Sequence, residues 1–197
     1  MSRTRQATTI DRMTTVLRRR TWPAPAALIT LSLVPVLAGG ARLGDSTVGT
    51  PLPLLLHIIG ASVYCVLGAF QFIPITRRHR LAGRLLVPCG LVAALSGMWL
   101  ALSHPGLLMV FRLGFGGAMA LSLVLGVLAV RRRDFRTHRA WMIRGYAIAL
   151  GAGSQAVVFG LWSVVAGEPG ELGTALLMGA GWGINLAVAE WIIREKR

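Results

Sequence analysis

Four histidines stand in a chain of 197 residues that is otherwise short of groups for acid–base or metal chemistry. His79 and His138 sit in matching phrases, Arg77-Arg78-His79-Arg80 and Arg136-Thr137-His138-Arg139, followed by Arg84 and Arg144. Imidazoles at one depth on facing helices, with cations beside them, suit a b-type haem. His79 and His138 would bind the iron, and Arg80, Arg84, Arg139 and Arg144 would meet propionates or phosphate. His57 is the third candidate ligand. At ~1.5 Å per residue it lies ~33 Å from His79 along one helix, so the two belong to different centres. His104 and Met98 are imperfect matches for its depth. The plainer reading makes His79 and His138 interfacial residues that bind lipid phosphate or cap helix ends.

A second set is buried in apolar sequence. Arg112 falls at about the depth of His57, and two cation-capable groups at one depth favour a neutral His57, or an anionic ligand between them. Glu190 falls at the depth of Arg144 and could pair with it. Gln71, Gln155 and Asn185 could extend a polar track, or simply tie helices together at roughly 0.6 kcal/mol per bond. The chain has only seven acidic residues, which argues against a hydrolytic carboxylate pair. The histidines are split between two faces, which argues against a zinc site. Cys65 and Cys89 lie in apolar runs at different depths and read as inert thiols.

The elements that position these groups are long apolar runs. Of the residues 54% are hydrophobic and 14% charged, with a mean hydropathy of +0.64. The charges cluster between the runs, so the net charge of +14 reads as a membrane-face signal and excludes nucleic acid as the partner. The expected fold is an all-α polytopic bundle of six spans, at 22–43, 51–76, 85–103, 107–130, 140–166 and 171–193. Turn formers link them: Gly44-Asp45-Ser46, His104-Pro105-Gly106 and Gly167-Glu168-Pro169-Gly170. A basic tail, 1–21, precedes them as an amphipathic or disordered segment, and a basic end, 194–197, follows. The first run, ending in Ala38-Gly39-Gly40-Ala41, could instead be a cleaved signal sequence, although it is long for one.

Orientation follows from the arginines. Eighteen of the twenty-one basic residues fall in the tail, the second and fourth linkers and the C-terminal end. That alternation places both termini in the cytoplasm and the basic loops against anionic headgroups. Small residues recur at four-residue spacing at Gly145, Ala149 and Gly153, and at Gly179, Gly183 and Ala187; they read as helix seams, within the chain or toward membrane-protein partners or a second copy. The repeated Arg-x-His-Arg phrase hints at a diverged parallel repeat.

Several of these phrases carry a resemblance. They are His57-x-x-Gly60 with Gly68-x-x-Gln71, His79-Arg80-x-x-Gly83-Arg84, and Asp134-x-x-x-His138-Arg139-x-Trp141-Met142-x-Arg144. The chain resembles the predicted-membrane-protein family catalogued as domain of unknown function 2306, over roughly half its length. The resemblance implies the helical architecture and a bacterial inner membrane, and it names no reaction. The layout is more loosely similar to di-haem cytochromes of the b561 type. Three functions remain open: haem- or quinone-linked electron transfer, binding or transport of a small anion or lipid headgroup, and a structural role in a membrane complex.

Overall fold

The computed structural model describes residues 23–44, 49–71 and 79–195, all-helical apart from short turns. The basic tail, Asp45-Ser46, Arg77-Arg78 and the last two residues lie outside this range, as do the side chains of His79 and Arg80. Seven helices are described: α1 (Pro23–Gly44), α2 (Leu52–Gln71), α3 (His79–Ala101), α4 (Leu107–Arg131), α5 (Phe135–Ala149), α6 (Gly151–Ala166) and α7 (Glu171–Glu195). By length and composition α2, α4, α7 and the Gly83–Ala101 part of α3 can each cross a bilayer. The pair α5 and α6, bent by 42°, makes a fifth span when taken as one. The fully described part of α1 is the apolar stretch Leu28–Gly44.

With α5 and α6 counted as one bent span, successive spans alternate in direction, so one end of the bundle gathers the arginine-bearing 131–134 turn and the start of α3. The opposite end gathers the turns before α4 and α7. The bundle closes by small residues. At Gly60 of α2 a Cβ would stand 3.0 Å from the Cys89 carbonyl oxygen of α3. Gly90 of α3 seats the Tyr64 ring, Gly68 of α2 seats the Tyr146 ring and Gly116 of α4 seats Met98. Close approach of this kind supplies the van der Waals attraction that lipid, as apolar as the helices, does not. The buried core is correspondingly Tyr64, Leu86, Met119, Leu123, Tyr146 and Ile148.

The expected fifth span, 140–166, differs in two ways. It starts earlier, at Phe135, because the Asp134 side chain accepts from the Thr137 N–H at 3.0 Å and caps the helix. The polar Arg136-Thr137-His138-Arg139 phrase is therefore helical. The span also breaks at Leu150. There the Gly153 N–H bonds to the Leu150 carbonyl at 3.0 Å and leaves the Ala149 carbonyl outside the helical ladder. The Cys65 thiol donates to Ala149 O at 3.6 Å, and the Asn185 amide donates to Ala147 O at 3.0 Å. Neighbouring helices thus satisfy the backbone at the break, as a bilayer demands. The bend separates two tasks: α5 packs against α2, α4 and α7, while α6 packs against α1 and α7.

Candidate functional site

Polar side chains gather in three layers. Farthest from the basic end is His57, in the second turn of α2. Its ring lies in the notch at Gly97, where a Cβ would stand 2.9 Å from Cε1. Its Nδ1 is 2.9 Å from the Ala93 carbonyl oxygen. A carbonyl only accepts, so Nδ1 carries the hydrogen and Nε2 is the ring's acceptor. Arg112, half-buried on α4, is close enough to act on His57 electrostatically. No hydrogen bond or ion pair among the described residues engages its guanidinium. Met98 packs at Gly116, and His104 lies in an exposed turn.

The middle layer is one that sequence reasoning missed. The Tyr146 hydroxyl of α5 donates to the Cys65 carbonyl at 2.9 Å and meets the Ser32 hydroxyl of α1 at 3.1 Å. Ser32 Oγ in turn donates to Leu28 O at 2.7 Å. The Tyr64 ring lies 6.0 Å from that of Tyr146, and its hydroxyl is buried with no partner among the described residues. Serine and tyrosine scattered over apolar runs gave no sequence signal for this cluster, because the four residues come from three helices. The amides singled out in the sequence act as ties between helices. Gln155 donates to Met178 O at 3.1 Å, and Asn185 accepts from Ser154 at 2.6 Å. Gln71 is the last residue of α2.

The third layer lies at the basic end. His138 Nδ1 sits 2.7 Å from the Gly126 carbonyl oxygen of α4, again leaving Nε2 as acceptor. Arg144 meets both carboxylate oxygens of Glu190, with Nη2 to Oε2 at 3.0 Å, and its guanidinium lies 4.6 Å from the Trp141 ring centroid. The expected pairing of Arg144 with Glu190 is thus present, and it occupies Arg144. Arg84 and Arg139 are exposed. His57 and His138 are not brought together. The α4 residues at their layers, Gly116 and Gly126, are ten positions apart, or roughly 15 Å. Between α5 and α7 opens a cleft of about 580 Å³, with Arg136 and Arg139 on its lining beside Ile143 and Ile192.

A family profile described as a predicted membrane protein, domain of unknown function 2306, matches residues 54–193. The chain belongs to this family. No curated protein and no solved structure matches it. Within the family region, the phrases noted in the sequence acquire physical roles. Gly60 and Gly68 admit a neighbouring backbone and the Tyr146 ring. Asp134 caps α5, and His138 ties it to α4. Trp141 covers Arg144, and Met142 fills the notch at Gly126, where a Cβ would meet its Sδ at 2.8 Å. The Asp-to-Arg phrase is therefore, in large part, the docking code of α5.

Proposed function

We propose that this family member is a six-span protein of a bacterial inner membrane, with both termini cytoplasmic, that binds a small oxyanion through Arg112 and His57. The orientation rests on the eighteen basic residues gathered at alternate linkers. The sixth span in the count is α1, whose 22 residues are long enough for the hydrocarbon.

The observation that carries the binding site is the half-buried Arg112 guanidinium, which lacks an acidic or hydrogen-bonding partner among the described residues. A cation inside an apolar helix costs several kcal/mol by translocation scales, roughly 2.5–3.5 at mid-membrane, and is kept where it has a ligand or pathway to serve. His57, held by Ala93, adds a fixed acceptor for the hydroxyl of a protonated oxyanion. The plainer alternative is an arginine that reaches out to headgroups. Thermal melting of the purified protein with and without inorganic phosphate separates the two. Wild type melts higher with the anion, and Arg112→Gln loses that increment; an unchanged response removes Arg112 from the site.

A second reading, b-type haem, is favoured by one observation. His57 and His138 each anchor Nδ1 on a backbone carbonyl and leave Nε2 available, the arrangement that orients ligating imidazoles. Its test is the visible spectrum of the protein, oxidised and reduced, after expression with haem supplied. A colourless protein rules it out.

A further inference from the structure

The cleft between α5 and α7 lies at the basic end, remote from the His57 layer. Its lining divides by chemistry. Arg139 and Arg136 stand where α5 begins, beside Phe135, whose side chain is 66% exposed. Deeper in, the lining turns to Ala140, Ile143 and Ile192. Among the described residues no acidic side chain lines it. Glu190, the nearby acid on α7, is held bidentately by Arg144. Asp134 lines a separate hollow against α4, beside Trp141, and acts electrostatically on Arg136, so Arg139 carries the larger share of the cleft's charge. The cleft therefore presents positive charge and an aromatic ring at its mouth and branched aliphatics at its floor. That order matches headgroup and acyl chain across the edge of a bilayer.

We propose that this cleft seats an anionic glycerophospholipid, its phosphate at Arg139 and Arg136 and the first part of one acyl chain against Ile143 and Ile192. A bare phosphate would use the arginines and leave the floor unfilled. A zwitterionic lipid would fill the floor but carry its own cation into a cationic mouth. The anionic diester with its chain satisfies both halves. The site is independent of the Arg112–His57 reading, and either can fail alone.

The test uses the full chain in a neutral detergent, titrated with phosphatidylglycerol, phosphatidylcholine or glycerol 3-phosphate. Lipid adducts are counted by native mass spectrometry and melting is followed in parallel. Phosphatidylglycerol is retained in preference to phosphatidylcholine, and glycerol 3-phosphate alone gives no shift in melting. Arg139→Gln weakens phosphatidylglycerol about fivefold, the equivalent of one cation at a membrane surface. Ile143→Trp fills the floor and displaces the lipid. Arg131→Gln, at an exposed position at the end of α4, leaves retention unchanged. Arg139 is exposed, so its variant tests the cleft even where Ile143→Trp fails to fold. Equal retention of phosphatidylcholine overturns the proposal. So does an equal effect of Arg131→Gln, which would mean diffuse surface attraction, or a full shift with glycerol 3-phosphate, which would mean a phosphate site without a chain.

Discussion

Arg144 and Glu190 clasp each other across the α5–α7 interface, the guanidinium meeting both carboxylate oxygens while the Trp141 ring covers its face. The side chains are 21% and 36% exposed, so the pair is neither a surface bridge nor a sealed one. Removing one partner strands the other charge beside lipid. The expected loss is about 1–2 kcal/mol, between the values for exposed and buried pairs. Arg144→Met and Glu190→Met should each lower the melting temperature, and the double variant should lose less than the sum. Strict additivity in that double-mutant cycle would show that the two residues are uncoupled.

The break at Leu150 makes a second claim. Asn185 supports the Ala147 carbonyl and receives the Ser154 hydroxyl, so Asn185→Leu strips the break of two bonds. Interhelical hydrogen bonds in membranes contribute roughly 0.6–1.7 kcal/mol. The variant should fall in that range and raise hydrogen exchange selectively around residues 147–154. Gly151→Val should act through sterics at the same place, because a Cβ there would stand 2.2 Å from Trp182 Nε1. Unaltered exchange in Asn185→Leu would mean the break does not depend on α7.

These two sites also mark what the sequence could and could not tell. Arg144 and Glu190 were legible as a pair because both are charges inside apolar runs, and depth is countable. The seams at Gly145, Gly153 and Gly179 were legible from spacing, and they do take Tyr64 and Leu123, Leu31, and Phe111. Gly183, read as part of the same seam, meets nothing within 4 Å among the described residues. The break was not legible. Residues 140–166 contain no proline, whereas Pro35 and Pro88 sit inside unbroken helices α1 and α3. The deciding contacts come from Cys65, Trp182 and Asn185, residues remote in sequence whose side chains show no periodic signal. The cleft escaped for the same reason, since its two walls are fifty residues apart.

The turn between α4 and α5 makes a third prediction, on pH. Asp134 accepts the Thr137 N–H, and that bond holds its carboxyl below the ordinary aspartate range. A depressed folded pKa means the cap is fully present above the unfolded value and is lost as pH falls through the folded one. Asp134→Asn should remove this dependence and Asp134→Ala the cap itself, both read as melting temperature against pH. Wild type and Asp134→Ala should converge in acid. Parallel curves at every pH would mean that the carboxylate's charge is irrelevant.

Arg133, in the same turn, adopts φ 61° and closes α4 with its N–H on Val130 O at 3.0 Å, while the Asp134 N–H reaches Ala129 O at 3.0 Å. This is the Schellman arrangement, in which glycine is the usual residue because a Cβ is strained there, by roughly 1–2 kcal/mol. Arg133→Gly should therefore raise stability, by somewhat less than that after the entropy of the unfolded chain is counted. A lower melting temperature would assign Arg133 a contact that outweighs its backbone strain.

The two core tyrosines should respond oppositely to loss of a hydroxyl. Their rings are 6.0 Å apart, and both side chains are buried. The Tyr146 hydroxyl donates to Cys65 O and meets Ser32, so Tyr146→Phe removes a bridge joining α1, α2 and α5. That should cost about 1 kcal/mol. The Tyr64 hydroxyl has no partner among the described residues and faces the notch at Gly145, where a Cβ would lie 3.5 Å away. A buried hydroxyl without a partner is itself unfavourable by roughly 1–3 kcal/mol. Tyr64→Phe should thus be neutral or stabilising, with the ring still filling the seat at Gly90. Comparing the two variants by thermal melting in one detergent removes most differences in the unfolded reference. A destabilised Tyr64→Phe would mean that the hydroxyl binds a water or ligand in the middle of the bundle.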